Sequence, residues 1–311
     1  MKTKAFIYIV IAGVAWGSSG IFVHFLAPYG LTSLQMTATR GTVALVCLAS
    51  YILLKDRSLL FAKPKELLLY AAAGISLFFT MACYYSAMQL TSISTAVTLM
   101  YTSPILVMIF SVLFLGERFN KSKLVSVILM FVGCMLVSGI IGTFKFSLPG
   151  ILLGFGAGVA YTAYNVLTKI EMRMKCHAVS ATFYTFVFMT ALALFVSKPT
   201  GIVSAAAKKP LPVIPLLILL GICTSIVPYF LYTVSLKTLP VGVASALSVI
   251  EPMSATVFGI CFGEIPDALS WVGIVMILSA VFLLSRSDAG KDEKEKNGIT
   301  PHKRRTQLWE Q

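Results

Sequence analysis

Charge is scarce in this sequence: Asp, Glu, Lys and Arg make up 12% of its 311 residues, against 58% hydrophobic. A water-soluble domain carries about twice that charged share, and the mean hydropathy of +0.88 excludes water as the main solvent. Acidic groups are scarcer still, with 12 Asp and Glu against 25 Lys and Arg and a net charge of +13. Nucleic-acid binders gather such an excess on one solvated face. Here the cations fall in short clusters between apolar runs, so nucleic acid is not a partner and the charge reads as a topology signal.

Several chemistries lack their residues. The six cysteines form no C-x-x-C pair, and five of them lie inside apolar runs, so they read as reduced packing residues. His24 and His177 stand singly near span ends, and no cluster of His, Cys, Asp or Glu offers three ligands at metal spacing. There is no Walker A pattern and no G-x-S-x-G. The expectation is a protein that is not an enzyme and has no cofactor and no metal, powered by a gradient rather than by nucleotide.

What is present is a succession of long apolar runs, each about the 20 residues that a bilayer crossing needs. They cover 5–26, 32–54, 67–89, 93–115, 122–142, 149–169, 178–197, 211–235, 239–262 and 268–285. Lys2 and Lys4 precede the first run, which continues to Phe25 without a small-residue cleavage site. It reads as a retained span rather than a signal peptide. Residues 286–311 form a charged tail, expected to be cytoplasmic and disordered.

Cytoplasmic loops carry the excess of Lys and Arg. With the N-terminus inside, 20 of the 25 cations fall on the cytoplasmic side, four outside, and Arg40 within the second span. Ten spans with both ends in the cytoplasm of a plasma-membrane protein satisfy that count, and nine would break the alternation.

The sequence also repeats itself. Thr95, Ala96, Ser103, Pro104, Leu115, Gly116 and Glu117 are echoed by Ser245, Ala246, Glu251, Pro252, Phe262, Gly263 and Glu264. Gly74 and Tyr85 are echoed by Gly221 and Tyr232. The two units are 1–142 and 143–285, of five spans each. Because five is odd, the copies insert in opposite directions, the inverted-topology repeat of secondary transporters. The fold class expected is therefore an all-α membrane protein of ten helices in two inverted five-helix repeats. Two half-structures that exchange conformations around one site give inward-open and outward-open states of similar energy.

Polar groups buried in the spans mark that site. Glu251 sits roughly 15–18 Å into its span, near the midplane, where a charge is costly unless it faces a cavity, a partner or a proton. It serves substrate recognition or proton coupling, or else it is a hydrogen-bonded structural acid at a helix interruption. Arg40 lies about 12 Å deep. It neutralises an anionic or zwitterionic substrate, pairs with Glu251, or braces carbonyls exposed at a helix break. Pro104 and Pro252 each remove one helical hydrogen bond and break matching spans. Trp16, Tyr85, Tyr101, Tyr164, Asn165 and Tyr232 complete the expected substrate or coupling site, drawn from an interior supply that also holds Ser18, Ser19, Tyr84, Tyr161 and Tyr229. Each aromatic has packing or interface anchoring as its competing role.

On these residues the chain resembles the EamA-type transporters of the drug/metabolite transporter superfamily. The resemblance is carried by Ala15, Trp16, Gly17 and Ser18, by Arg40, and by Ala96, Pro104, Leu115, Gly116, Glu117, Arg118 and Gly133. In the second half it is carried by Ala160, Tyr164, Lys169, Glu251, Pro252, Gly263, Glu264 and Gly273. It implies a central cavity between two inverted halves and export of amino acids or other small metabolites. The expected partners are a small-molecule substrate, the lipid bilayer and protons. The competing function is a membrane scaffold or sensor built on the same fold.

Overall fold

The computed structural model describes residues 2–117, 121–140, 146–261, 263 and 265–296, with backbone alone at 2, 27 and 285–296. Among the described residues every regular element is helical. The apolar segments, in chain order, are α1 (Thr3–Leu26), α2 (Ser33–Lys55), α3 (Pro64–Leu90), α4 (Ile93–Leu113), α5 (Lys121–Val137), α6 (Leu148–Arg173), α7 (Ala178–Ser197), α8 (Pro210–Ser235), α9 (Val241–Ile260) and α10 (Ala268–Lys296).

Local chemistry sets the helix starts. Thr32 and Gln35 form a reciprocal capping box at α2, each side chain accepting from the other's backbone N–H. Pro64 and Pro149 occupy first-turn positions where no N–H is missed. Ser92 and Ser147 cap α4 and α6 through their hydroxyls.

Four segments are interrupted, and the interruptions follow the sequence. α1 breaks at Ser18, whose hydroxyl turns back to the Ala15 carbonyl at 2.7 Å. α4 breaks at Tyr101 and Thr102, just before Pro104, and α9 breaks at Ser248 and Val249, just before Pro252. A proline has no N–H to donate and its ring crowds the preceding turn, so both expected breaks occur. α8 holds a π turn at Ile222–Ile226 ahead of Pro228. Gly116 and Gly263 both adopt left-handed φ, +64° and +81°, so the turn after α4 recurs after α9 where only glycine fits without strain.

Eight helices, not ten, are long and apolar enough to cross a membrane among the described residues. The two others, α5 and the apolar stretch Ala268–Leu284 of α10, are shorter. The 17 residues of α5 span about 26 Å, just under a hydrocarbon core. These two pack on each other, with backbone meeting backbone at Gly133 and Gly273: a Cβ on Gly133 would lie 2.8 Å from the Gly273 carbonyl oxygen. α10 continues to Lys296, past Ser285 and into the run expected to be disordered, while 297–311, Arg118 and Glu264 lie outside the described residues.

The packing has an internal regularity. α3 lies along α6, and α1 along α8; α4 touches α6, and α1 touches α9; α2 meets α7, α4 meets α9 and α5 meets α10. Exchanging the first five helices for the second five maps each of these pairings onto another or onto itself.

Candidate functional site

A cavity of about 40 Å³ lies inside the bundle. α1 supplies Trp16 and Ser19, α2 supplies Arg40, and α3 supplies Thr80 and Met81. Met100 comes from α4, Tyr161 from α6, Tyr229 from α8 and Glu251 from α9. Both sets of five helices contribute to the wall.

Glu251 lies in the first turn after the α9 break, directly before Pro252. Tyr101, at the corresponding break of α4, donates its hydroxyl to Glu251 Oε2 at 2.8 Å, across 150 positions of sequence. The two interrupted helices are thus tied together at the cavity. α1 closes onto the same place: a Cβ on Gly17 would lie 2.7 Å from both the Glu251 carbonyl oxygen and Ser254 Cβ, so glycine is what lets the two backbones approach.

Arg40 is 9% exposed, yet its guanidinium has little to hold. Nη2 reaches Met81 Sδ at 3.3 Å, a weak acceptor, and Nε is buried with no acceptor. It makes no ion pair with Glu251 and braces no helix carbonyl, so two of the three roles expected of it are not seen. Trp16 is in the same condition: its Nε1 is buried without an acceptor, and its ring packs on Tyr229 and Tyr232 at centroid distances of 5.1 and 5.7 Å.

Of the expected site residues, Trp16, Arg40 and Glu251 line the cavity and Tyr101 touches it through Glu251. Tyr164, Asn165 and Tyr232 form a layer behind. Tyr232 donates to Asn165 Oδ1, Asn165 Nδ2 donates to the Tyr161 carbonyl at 2.6 Å, and Tyr164 stacks on Tyr161 at 6.0 Å. Tyr85 is off the cavity, accepting from Thr37 Oγ1 at 3.4 Å and leaning on Tyr84. Thr80, Met81 and Met100 belong to the wall and are not evident from sequence; Met81 precedes Tyr84 and Tyr85 by one helical turn, which was the available signal.

A second polar region sits at the end of the bundle where the α4–α5, α6–α7 and α8–α9 connections meet. Lys169 of α6, 7% exposed, donates to the carbonyls of Leu236 and Leu239 at 2.7 and 2.6 Å. Glu117 accepts from the Val241 N–H at 2.9 Å, and Arg173 donates to the Leu115 carbonyl at 2.8 Å. These bonds satisfy groups that the ends of α4 and α8 and the start of α9 leave unpaired. No metal-binding group of three or more His, Cys, Asp or Glu is found among the described residues, and all six cysteines are free.

Fold and site together define a multi-pass membrane protein with a charged internal cavity. The chain belongs to the EamA-like transporter family, whose pattern it matches twice, over residues 3–139 and 148–286. It is 25% identical over 295 residues to an uncharacterized transporter, YwfM, of Bacillus subtilis, covering 90% of this chain and 93% of that one. It is 26% identical to a riboflavin transporter of Brucella anthropi over 71% of this chain and 75% of the other. A solved structure described only as a protein crystal structure superposes with a TM-score of 0.74 at 18% identity, over 91% of this chain and 96% of that one. At that identity the likeness is one of fold.

Proposed function

We propose that this protein is a gradient-driven secondary transporter that carries a small metabolite, such as an amino acid or a related organic compound, outward across the plasma membrane. In this reading all ten segments cross the bilayer as two oppositely inserted halves, 1–142 and 143–285, with both chain ends in the cytoplasm. The tandem family match, the exchangeable helix pairings and the one-sided distribution of Lys and Arg support that arrangement.

The observation that carries the proposal is that Arg40 and Glu251, one from each half, line one small cavity without pairing. Charges buried in a membrane bundle are expensive, and left unpaired they point to a transport site. A space of about 40 Å³ holds a few waters and no metabolite, which suits a state closed between two openings. Cargo then enters only as the halves move apart on one side or the other.

Glu251 is the coupling residue, exchanging a proton as the cavity opens, and Arg40 supports the site. Reconstituted into liposomes, wild type mediates flux that responds to an imposed pH difference. Glu251→Gln keeps the side-chain shape and the bond to Tyr101 but removes the exchangeable proton, and is expected to abolish that response. Unchanged flux with an unchanged pH response refutes the coupling role.

A further inference from the structure

Two donors on side chains that line the cavity have no acceptor. Arg40 Nε–H and Trp16 Nε1–H are both buried and reach no acceptor, although both side chains line the same space. Indole offers only a donor, and guanidinium offers five donors and no acceptor. The one anionic group in the wall, Glu251, is held by Tyr101 and bonds to neither. Buried donors left without acceptors are destabilising and are rare in folded proteins. Of the buried polar side-chain atoms without a partner among the described residues, only these two belong to side chains that line the cavity.

From this geometry we infer that the cargo is a small organic acid whose carboxylate is received between Arg40 Nε and Trp16 Nε1; the inference rests on the transport reading above. A carboxylate is an acceptor with two oxygens and about four lone-pair sites, enough to bridge a guanidinium and an indole. Charge-assisted bonds of this kind are the strong ones. A phosphate dianion suits the site less well, because the wall has a single cation and also carries Glu251, so a monoanion is better balanced. The rings of Tyr161 and Tyr229 in the same wall take the apolar remainder.

The test pairs each acid with its amide, which has the same shape without the anion: 3-phenylpropanoate with 3-phenylpropanamide, L-phenylalanine with L-phenylalaninamide, and butyrate with butyramide. Binding to the purified full-length protein is read from the ligand-concentration dependence of its unfolding temperature. At least one acid is expected to bind wild type about tenfold or more tightly than its amide. Trp16→Phe, which keeps an aromatic ring and loses the N–H, and Arg40→Lys, which keeps the charge and loses Nε, each shrink that acid-to-amide ratio about tenfold. The ratio is internal to each variant, so a general loss of stability does not move it. Equal binding of acid and amide, an undiminished ratio in both variants, or no binding of any acid overturns the inference. A measurable flux carrying a neutral compound removes this inference alone, and the absence of any flux removes the transport reading beneath it.

Discussion

Arg40 and Lys169 are both cations buried within apolar helices, at 9% and 7% exposure, and they differ in what they touch. Lys169 spends its ammonium on two backbone carbonyls at 2.7 and 2.6 Å. Arg40 reaches one thioether and leaves Nε with nothing. Two of the acids divide the same way: Glu117 caps the start of α9, while Glu251 lines the cavity with Tyr101 on one oxygen. Burial of a charge therefore does not identify a functional site. Partners and place together do: satisfied groups hold helices together, while Arg40 is short of partners beside the cavity, unlike Glu171, whose carboxylate is buried without a partner but does not line it.

That contrast is easiest to break with one pair of substitutions. Lys169→Met orphans two buried carbonyls and should cost about 3 kcal/mol, taking each charge-assisted bond at roughly 1.5 kcal/mol or more. Arg40→Met replaces an under-partnered charge by an apolar chain of similar length, a change that is near neutral or stabilising when buried charges are removed. Its expected cost to folding is under about 1 kcal/mol, with transport lost. Unfolding transitions in detergent decide between them, and an equal loss in both variants dissolves the distinction.

A smaller effect sharpens the link between helix approach and site. Gly17→Ala places a methyl against the Glu251 carbonyl and Ser254, so α1 or α9 must shift, at about 1–3 kcal/mol. Because α9 carries Glu251, flux should fall more than stability does. Gly20→Ala, which meets no atom within 4 Å, serves as the control on the same helix and leaves flux unchanged.

The sequence reveals depth along each helix far better than direction around it. Glu251 and Arg40 stand out because a charge inside an apolar run has few places to be, and Pro104 and Pro252 mark real breaks. Which way an aromatic points is another matter, because a membrane helix is apolar on its lipid face and its packed face alike, and the periodicity that orients a soluble helix is weak. Tyr85 accordingly falls off the cavity, and Tyr164, Asn165 and Tyr232 fall one layer behind it. Met81, Met100 and Thr80 go unnoticed because such residues are ordinary in spans. The Tyr101–Glu251 bond, spanning 150 positions, depends on how the halves pack. Lys169 reads from sequence as a cation at the cytoplasmic end of its span, and packing shows it buried in α6 and engaged by two carbonyls.

We propose that the unpaired charges of the cavity serve cargo. This is tested most directly by comparing extracellular metabolites from cells that carry no copy of this protein, the wild type, or Glu251→Gln at equal membrane abundance. The account predicts one or more small organic compounds released with the wild type and returned to the protein-free level by the substitution. Identical release from all three strains across a broad panel would contradict it.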